Sequence, residues 1–305
     1  MKNKKVVVVG SLNYDLILTQ ERLPYKGETL YADDIIQGPG GKGANQAVQC
    51  AKLGLETTLI GKVGSDRFGD ALIGSMQSAG VNADKIKRKG QSGLGLVNVL
   101  YDGDYHSTIL KGSNYTITIE DIENETELLK SADFIILQQE IPAFINEYII
   151  ENYNENATLI LNNAPARSIK YETLQILDYL VVNETEAEFM VNKKVDNINQ
   201  AFEAAQLLYS KIHTTVIITL GKSGVVLKDS KNIFHVSSNK VKAIDTTGAG
   251  DSFIGGIVYG LSQGYSIKNV IKFANNVSSL TVKQKGGSES FPLLKDCIKM
   301  NNSII

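Results

Sequence analysis

The sequence predicts an α/β fold: a mainly parallel sheet with helices on both faces, plus a small inserted β-sheet. Three observations lead there. Short apolar runs are nearly continuous rather than alternating, as in strands covered on both faces. Helical periodicities fall between the runs, so successive strands cross over and lie parallel. Two regions break this rhythm, with strand-like segments that have no helix between them.

In chain order, strands are expected at residues 6–9, 57–63, 134–137, 158–161, 179–182, 216–220 and 225–227. Between them, Ala44, Ala47, Val48 and Ala51 recur at helical spacing, and Gly54 follows as a stop signal. Phe68, Leu72, Ile73, Met76 and Ala79 repeat the pattern before Gly80, and Ala201, Ala204, Ala205 and Leu208 mark another helix. The strand-like segments without helices are 15–19, 29–37, 94–101 and 105–110; the last two flank Asp102-Gly103, a hairpin signal. A sheet this small cannot bury both faces by itself, so it must lie over a ligand or a second copy of itself. Residues 1–305 are therefore expected to form one α/β domain, with the small sheet drawn from about 14–38 and 93–112.

Composition excludes several classes of function. The 305 residues are 43% hydrophobic and 21% charged, as in a globular protein, and a formal net charge of −2 gives no basic surface for nucleic acid. The apolar run after the basic residues Lys2, Lys4 and Lys5 is too short for a signal peptide or a membrane span. Cys50 and Cys297 have no metal-ligand spacing and read as reduced, structural residues of a cytoplasmic protein. None of His106, His213 and His235 sits beside a nucleophile pattern.

The chemistry concentrates near the C-terminus. A short apolar run ends at Asp245, small residues follow, and Asp251 opens an apolar helical pattern of Phe253, Ile254, Ile257, Val258 and Leu261. Gly248, Ala249 and Gly250 would present bare N–H groups at a helix N-terminus, an anion site. Asp251 would either cap that helix or strip a proton from a hydroxyl while the amides hold a transferring phosphoryl group. Asp245, at a strand end with only Lys240 and Lys242 nearby in sequence, reads as a charge that needs a partner, such as a bound cation.

Other motifs are weaker one by one. Gly38, Gly40 and Gly43 match G-x-G-x-x-G and open a helix, but they follow a later segment than the first βα unit, where a dinucleotide fingerprint sits. A turn that brings Lys42 and Asn45 to a small polar ligand is the alternative. Gly221, Lys222 and Ser223 resemble the end of a P-loop, whose first glycine would have to be Val216, so that motif fails. Asn13 and Asp15, two apart on an extended segment, share a face and suit sugar hydroxyls. Gln138, Gln139 and Glu140 end one strand, and Asn183, Glu184 and Glu186 end another and start a helix; the glutamates are either helix-start charges or neighbours of a metal–phosphate cluster.

In order along the chain, Gly10 with Asn13 and Asp15, the run Gly40 to Gln46, Asn183 with Glu186, Thr219 with Gly221 and Gly224, and Asp245 to Asp251 together resemble the ribokinase family of sugar kinases. The resemblance covers about residues 6–292. It implies transfer of the γ-phosphoryl of ATP to the primary hydroxyl of a pentose, with D-ribose expected and deoxyribose, a nucleoside or a hexose as alternatives. By resemblance, Asn13, Asp15, Gly41, Lys42, Asn45 and Glu140 fall at sugar-binding positions. Asp251 falls at the catalytic base, with Gly248, Ala249 and Gly250 as the anion hole. Asn183, Thr219, Gly221, Gly224, Gly250 and Asn275 fall where the family contacts ATP, and Glu186 where it supports Mg2+. Asp245, Thr247 and the backbone from Gly286 to Ser290 fall at a K+ site. The small sheet would be a lid over the sugar and the contact of a homodimer. Two segments depart from the family pattern, Asn162 to Arg167 and Gly112 to Asn114, and neither is expected to touch a ligand position. A sugar-binding sensor on a dead kinase scaffold would have lost Asp251 or the Gly-Ala-Gly turn, and both are present. A nicotinamide dehydrogenase built on Gly38 to Gly43 is the remaining rival.

Overall fold

The computed structural model describes residues 4–101 and 105–300. Its strands are β1 (Lys5–Val9), β2 (Asn13–Gln20), β3 (Asp34–Gly40), β4 (Glu56–Val63), β5 (Ile86–Arg88), β6 (Gly93–Leu100), β7 (Tyr105–Leu110), β8 (Phe134–Gln138), β9 (Thr158–Asn162), β10 (Tyr179–Asn183), β11 (Thr215–Thr219), β12 (Val225–Lys228) and β13 (Ile233–Val236). The α-helices are α1 (Lys42–Lys52), α2 (Arg67–Ser78), α3 (Ile119–Glu123), α4 (Thr126–Lys130), α5 (Ala143–Asn152), α6 (Tyr171–Leu174), α7 (Glu184–Val191), α8 (Ile198–Ile212), α9 (Ala249–Ser262), α10 (Ile267–Thr281) and α11 (Leu294–Met300).

Nine strands make one sheet in the order β13-β12-β11-β10-β9-β8-β1-β4-β5. From β11 to β5 every neighbour is parallel. The edge strands β12 and β13 are antiparallel because the β11–β12 link, a short turn at Gly221–Ser223, leaves no room for a crossover helix. Burial explains the unbroken apolar runs. In β1, Val6 and Val8 pack under α1, α9 and α10, while Val7 and Val9 pack under α5 and α8. Alternate residues thus feed two cores, one on each face. Cys50 and Cys297 are free thiols buried in the first of these cores. No helix among the described residues is long and apolar enough to cross a membrane.

The second sheet has four strands in the order β3-β2-β6-β7, with β2 and β6 parallel and the outer pairs antiparallel. Two sequence expectations need correcting, and one falls on residues that are not described. The segment expected at 29–37 becomes a strand only from Asp34, because β2 ends at Gln20 and residues 29–33 have no strand to pair with. The Asp102-Gly103 turn lies outside the described residues; the strands on either side pair antiparallel, with Val99 opposite Tyr105. The glycines before α1 also belong to the first βα unit after all. The chain leaves β1, forms β2 and β3, and then runs through α1 to β4, which lies parallel to β1. Half of the small sheet, β2 and β3, is inserted between β1 and its own crossover helix; β6 and β7 enter later, after β5.

The large sheet changes winding direction at β1. One connection leads to β4 on one side, while β8 joins on the other. The crevice between the carboxyl ends of β1 and β8 is the topological switch point, where open α/β sheets bind ligands.

Candidate active site

At that crevice, the Ser11 hydroxyl after β1 donates to Glu140 Oε2 after β8, at 2.6 Å. The Lys42 N–H donates to the same oxygen at 3.0 Å, so Glu140 pins the start of α1. Gly41, just before α1, has φ 91°, and a Cβ there would crowd the Asn13 backbone nitrogen, so this tight entry requires glycine.

α1 then turns a polar stripe inward. Lys42, Asn45, Gln46 and Gln49 are spaced i, i+3, i+4, i+7, and the last three are buried. Asn45 Nδ2 donates to Asp251 Oδ2 at 3.0 Å, and Gln46 Nε2 donates to Asp251 Oδ1 at 2.9 Å. Gln46 is itself held from two sides. Its Nε2 also donates to Asn162 Oδ1 at 3.2 Å, and its Oε1 accepts from Gln138 Nε2 at 2.8 Å. Asp251, the third residue of α9, therefore does not cap that helix. Its carboxylate is aimed across at α1.

Gly248 precedes α9 in the left-handed region, φ 74°. The first turn of a helix has N–H groups with no intrahelical partner. Here the Ala249 N–H turns back to Thr246 O at 3.2 Å, so Gly250 and Asp251 are left to face a ligand. A Cβ on Gly250 would meet open space.

Asp15 sits on the same strand face as Asn13. It is clasped between Gly40 and Gly95, where a Cβ on either would overlap its carboxylate. Among the described residues no hydrogen-bond donor meets that carboxylate. Burial first, then the charges of Glu140 and Asp251, push its pKa up to about 7, against the pull of Lys42. Burial also raises Asp251, opposed by Lys42 and by the amides of Asn45 and Gln46. Asn45 Oδ1 is a second buried acceptor without a partner among the described residues. Lys42 is the cation that these carboxylates feel in common.

Asn183 and Glu186 form a capping box on α7: Asn183 Oδ1 accepts from the Glu186 N–H, and the Asn183 N–H donates to Glu186 Oε2, both at 2.8 Å. Burial raises the Glu186 pKa, while Lys42 lowers it and Asp251 raises it, so all three groups feel one another. Thr219 lies opposite Asn183 in the β10–β11 ladder. Gly221 and Gly224 both have positive φ in the turn that follows, with the Leu220 N–H donating to Gly224 O. Asn275 is buried on α10, donates to Ser237 O, and lines a cavity of about 440 Å3 with His235, Lys268 and Lys272. A larger groove of about 790 Å3 runs past Arg167, Thr185 and Phe189; Asp15, Glu140 and Asp251 lie outside its lining.

Asp245 departs from its expected setting. Residues 237–248 carry no strand, Ile244 is exposed, and Asp245 is only half-buried. Nor is its charge isolated: Oδ1 accepts from the Thr247 N–H at 2.9 Å and Oδ2 from the Gly286 N–H at 3.0 Å. Burial alone would raise its pKa, but these two amides hold it below the usual carboxylate range. Ser290 is buried and donates to Gly287 O. Asp245, Thr247 and the Gly286–Ser290 loop thus do lie together.

Sequence reasoning assigned no role to five supporting residues, Ser11, Gln46, Asn114, Gln138 and Asn162, although Gln46, Asn114, Gln138 and Asn162 fall in stretches it had singled out. The two departing segments are not remote either. Asn114 Nδ2 donates to Asn13 Oδ1 at 2.7 Å, and Asn162 holds Gln46. The inward polar stripe on α1 was the one available signal, since polar residues at helical spacing beside an apolar stripe have no place in a plain core.

A parallel α/β sheet, a carboxylate aimed at a glycine-rich helix start, and acceptor groups under a second sheet define a small-molecule kinase architecture. The family model for the pfkB family carbohydrate kinases matches residues 3–294, and the chain belongs to that family. It is 37% identical over 298 residues to the ribokinase of Staphylococcus aureus (strain COL), covering 96% of this chain and 98% of that one. The deoxyribokinase of Salmonella typhimurium is 33% identical over 294 residues, covering 95% and 96%. Among solved structures, Arabidopsis thaliana ribokinase complexed with ribose and ATP matches with a TM-score of 0.90 at 29% identity, over 99% of both chains.

Proposed function

We propose that this chain is an ATP-dependent ribose kinase, carrying the γ-phosphoryl of ATP to the primary hydroxyl of D-ribose. One observation carries the reading. The buried Asp15 carboxylate, raised by burial and by its acidic neighbours, and the unpartnered Asn45 Oδ1 gather beside Asp251, whose carboxylate faces α1. Their ligand must bring hydroxyl donors, as a sugar does. The full-length likeness to ribokinases supports the pentose.

In this reading Asp15, Asn13 and Asn45 hold the sugar hydroxyls, with Glu140 fixing Lys42 and the start of α1. Asp251 accepts the proton of the primary hydroxyl. Its raised pKa makes it a better base, and its bonds to Asn45 and Gln46 fix its direction. The hydroxyl oxygen forms a bond to the γ-phosphorus as the bond to the ADP oxygen breaks. The Gly250 and Asp251 amides, at the positive end of α9, stabilise the equatorial oxygens. ATP would lie along Asn183, Thr219, Gly221, Gly224 and Asn275. Among the described residues no trio of His, Cys, Asp or Glu is arranged to hold a metal alone, which fits an Mg2+ ion that arrives on the nucleotide. Glu186 would help to hold that ion, which would supply positive charge to the phosphates. A monovalent cation, K+ by preference, would sit against Asp245, the Thr247 carbonyl and the Gly286–Ser290 loop.

The small sheet closes over the sugar and pairs with a second copy of the chain. Exposed Ile35, Ile36, Leu96, Ile109 and Leu110 support that pairing. Sedimentation at micromolar concentration should show a dimer; a monomer would remove this part of the reading. A cytoplasmic setting, where ATP is supplied, fits this reading. The function itself is tested by ADP release across pentoses, deoxyribose, hexoses and nucleosides. D-Ribose should give the highest kcat/KM, and a tenfold preference for any other substrate would overturn the assignment.

A further inference from the structure

Beyond Asn45 and Gln46, the inward stripe of α1 continues one turn on to Gln49 and Lys52, and these hold a different part of the molecule. Lys52 Nζ donates to the carbonyls of Ser288 at 2.8 Å, Phe291 at 3.0 Å and Glu289 at 3.3 Å. An ammonium has three protons, and all three end on backbone carbonyls of one loop. Gln49 Nε2 adds a bond to Pro292 O at 3.1 Å. The gathered loop has one consequence at the active site. The ring of Phe291, itself buried, lies where a Cβ of Gly248 would point, 2.6 Å from that position. Gly248 is the residue that starts α9 and aims its first amides. The loop's other end is tied to Asp245 through the Gly286 N–H. One helix therefore fixes Asp251 directly, through Asn45 and Gln46, and supports the turn before it indirectly, through Lys52.

We propose that Lys52 is a positioning residue for phosphoryl transfer: a tethered cation that gathers the Ser288, Glu289 and Phe291 carbonyls and so wedges Phe291 against the Gly248 turn. The proposal rests on the reading of Asp251 and the α9 start as the reacting centre. Lys52 touches neither substrate. Its removal should act on kcat and leave sugar binding alone, because the sugar groups hang from the other end of α1. The geometry also makes the role open to chemical rescue. Lys52 borders an open groove of about 420 Å3 that includes Glu289, Phe291 and Asp296, wide enough to admit a small amine.

The test uses the full chain with Lys52→Ala and Lys52→Arg, at saturating potassium and magnesium. Lys52→Ala should lower kcat about tenfold, within the hundredfold that a misplacement of about 1 Å can cost, with the sugar KM changed less than twofold. Ethylammonium chloride should restore much of the loss. Tetramethylammonium chloride at the same ionic strength, which has no N–H to donate, should not. Lys52→Arg should keep most of the rate. Amide hydrogen exchange is the second readout: Lys52→Ala should speed exchange in peptides spanning residues 284–292 and 246–251, and ethylammonium should slow it again. Unchanged exchange in both peptides overturns the proposal whatever the kinetics. So does a kcat loss that neither ethylammonium nor arginine repairs, or an equal rise in the sugar KM. If the wild-type chain phosphorylates no sugar while exchange responds as described, the positioning role stands and the kinase reading falls.

Discussion

In the proposed reading, the working groups on the sugar side of Asp251 are side chains sealed from water, with Asn13, Asn45 and Gln46 all buried. On the proposed nucleotide side the turn into α9 offers backbone amides and stands open, with Thr246, Thr247 and Gly250 exposed. The contrast follows from the ligands. A sugar is neutral and brings hydroxyl donors, so the protein must supply charge and hold it in place, at the cost of burying carboxylates side by side. ATP brings its own charge, and glycine-rich turns at helix ends suffice to receive it. Asp251 belongs to both: its carboxylate is buried among side chains, while its amide faces the open turn.

The largest effect is expected at that junction. Asp251→Asn should lower kcat by about 10²–10⁴-fold, the usual cost of losing a general base. Both halves should still bind, since an amide fits between Asn45 and Gln46 after a flip. Calorimetry should therefore find ribose and ATP affinities within a few-fold of wild type. If a tenth of the activity survives, proton transfer runs through another group.

Asp15→Asn should break the sugar half alone. Losing a charged hydrogen bond costs roughly 1.5–3 kcal/mol, so the sugar KM should rise about 10- to 100-fold with the ATP KM little changed. The same variant should be more stable than wild type above neutral pH. A folded-state pKa raised from 3.8 to about 7 means that Asp15's stabilising contribution is full below pH 4 and is lost as pH rises through 7. The stability gained by Asn should thus grow by roughly 2–3 kcal/mol between pH 5 and pH 8. Denaturant midpoints that move in parallel at the two pH values would show that Asp15 is not under charge strain.

The two halves also differed in how well they could be read from sequence. Strand positions were legible because continuous apolar runs and helical spacing reflect burial on two faces, and the glycine turns because few other residues serve at φ 74° or 91°. Gln46, Gln138, Asn114 and Asn162 were not. Their importance lies in contacts spanning about a hundred residues, such as Gln138 to Gln46, and a lone glutamine in a sequence carries no mark of its partner. Asp245 was misplaced for a related reason. A short apolar run looks like a strand wherever it occurs, but beyond β13 the sheet has no further neighbour for it. The stabilising partners of Asp245 are backbone amides, which sequence does not display.

That correction narrows what potassium can do. With Thr247 and Gly286 amides on its oxygens, Asp245 does not need a cation for its own stability. An ion there should act on kcat, by steadying the turn into Gly248, and leave the sugar KM alone. Potassium chloride titrated against choline chloride at matched ionic strength should raise kcat several-fold. Equal rates in the two salts would leave the Asp245 loop as structure only.

The smallest expected effect separates cap from ligand on the nucleotide side. Glu186 is already engaged in the Asn183 capping box through Oε2. A glutamine can accept the same N–H through its amide oxygen. Glu186→Gln should therefore keep stability within about 0.5 kcal/mol, whereas Glu186→Ala, which loses the reciprocal bond, should cost about 1 kcal/mol. If the second carboxylate oxygen also holds a magnesium-bound water, Glu186→Gln should raise the magnesium concentration needed for half-maximal rate by several-fold, with the sugar KM unmoved. The residue would then be the one buried carboxylate that the nucleotide half does require. If Glu186→Gln matches wild type at limiting magnesium and only Glu186→Ala is weakened, Glu186 is a cap, and the nucleotide half works through backbone and ligand charge alone.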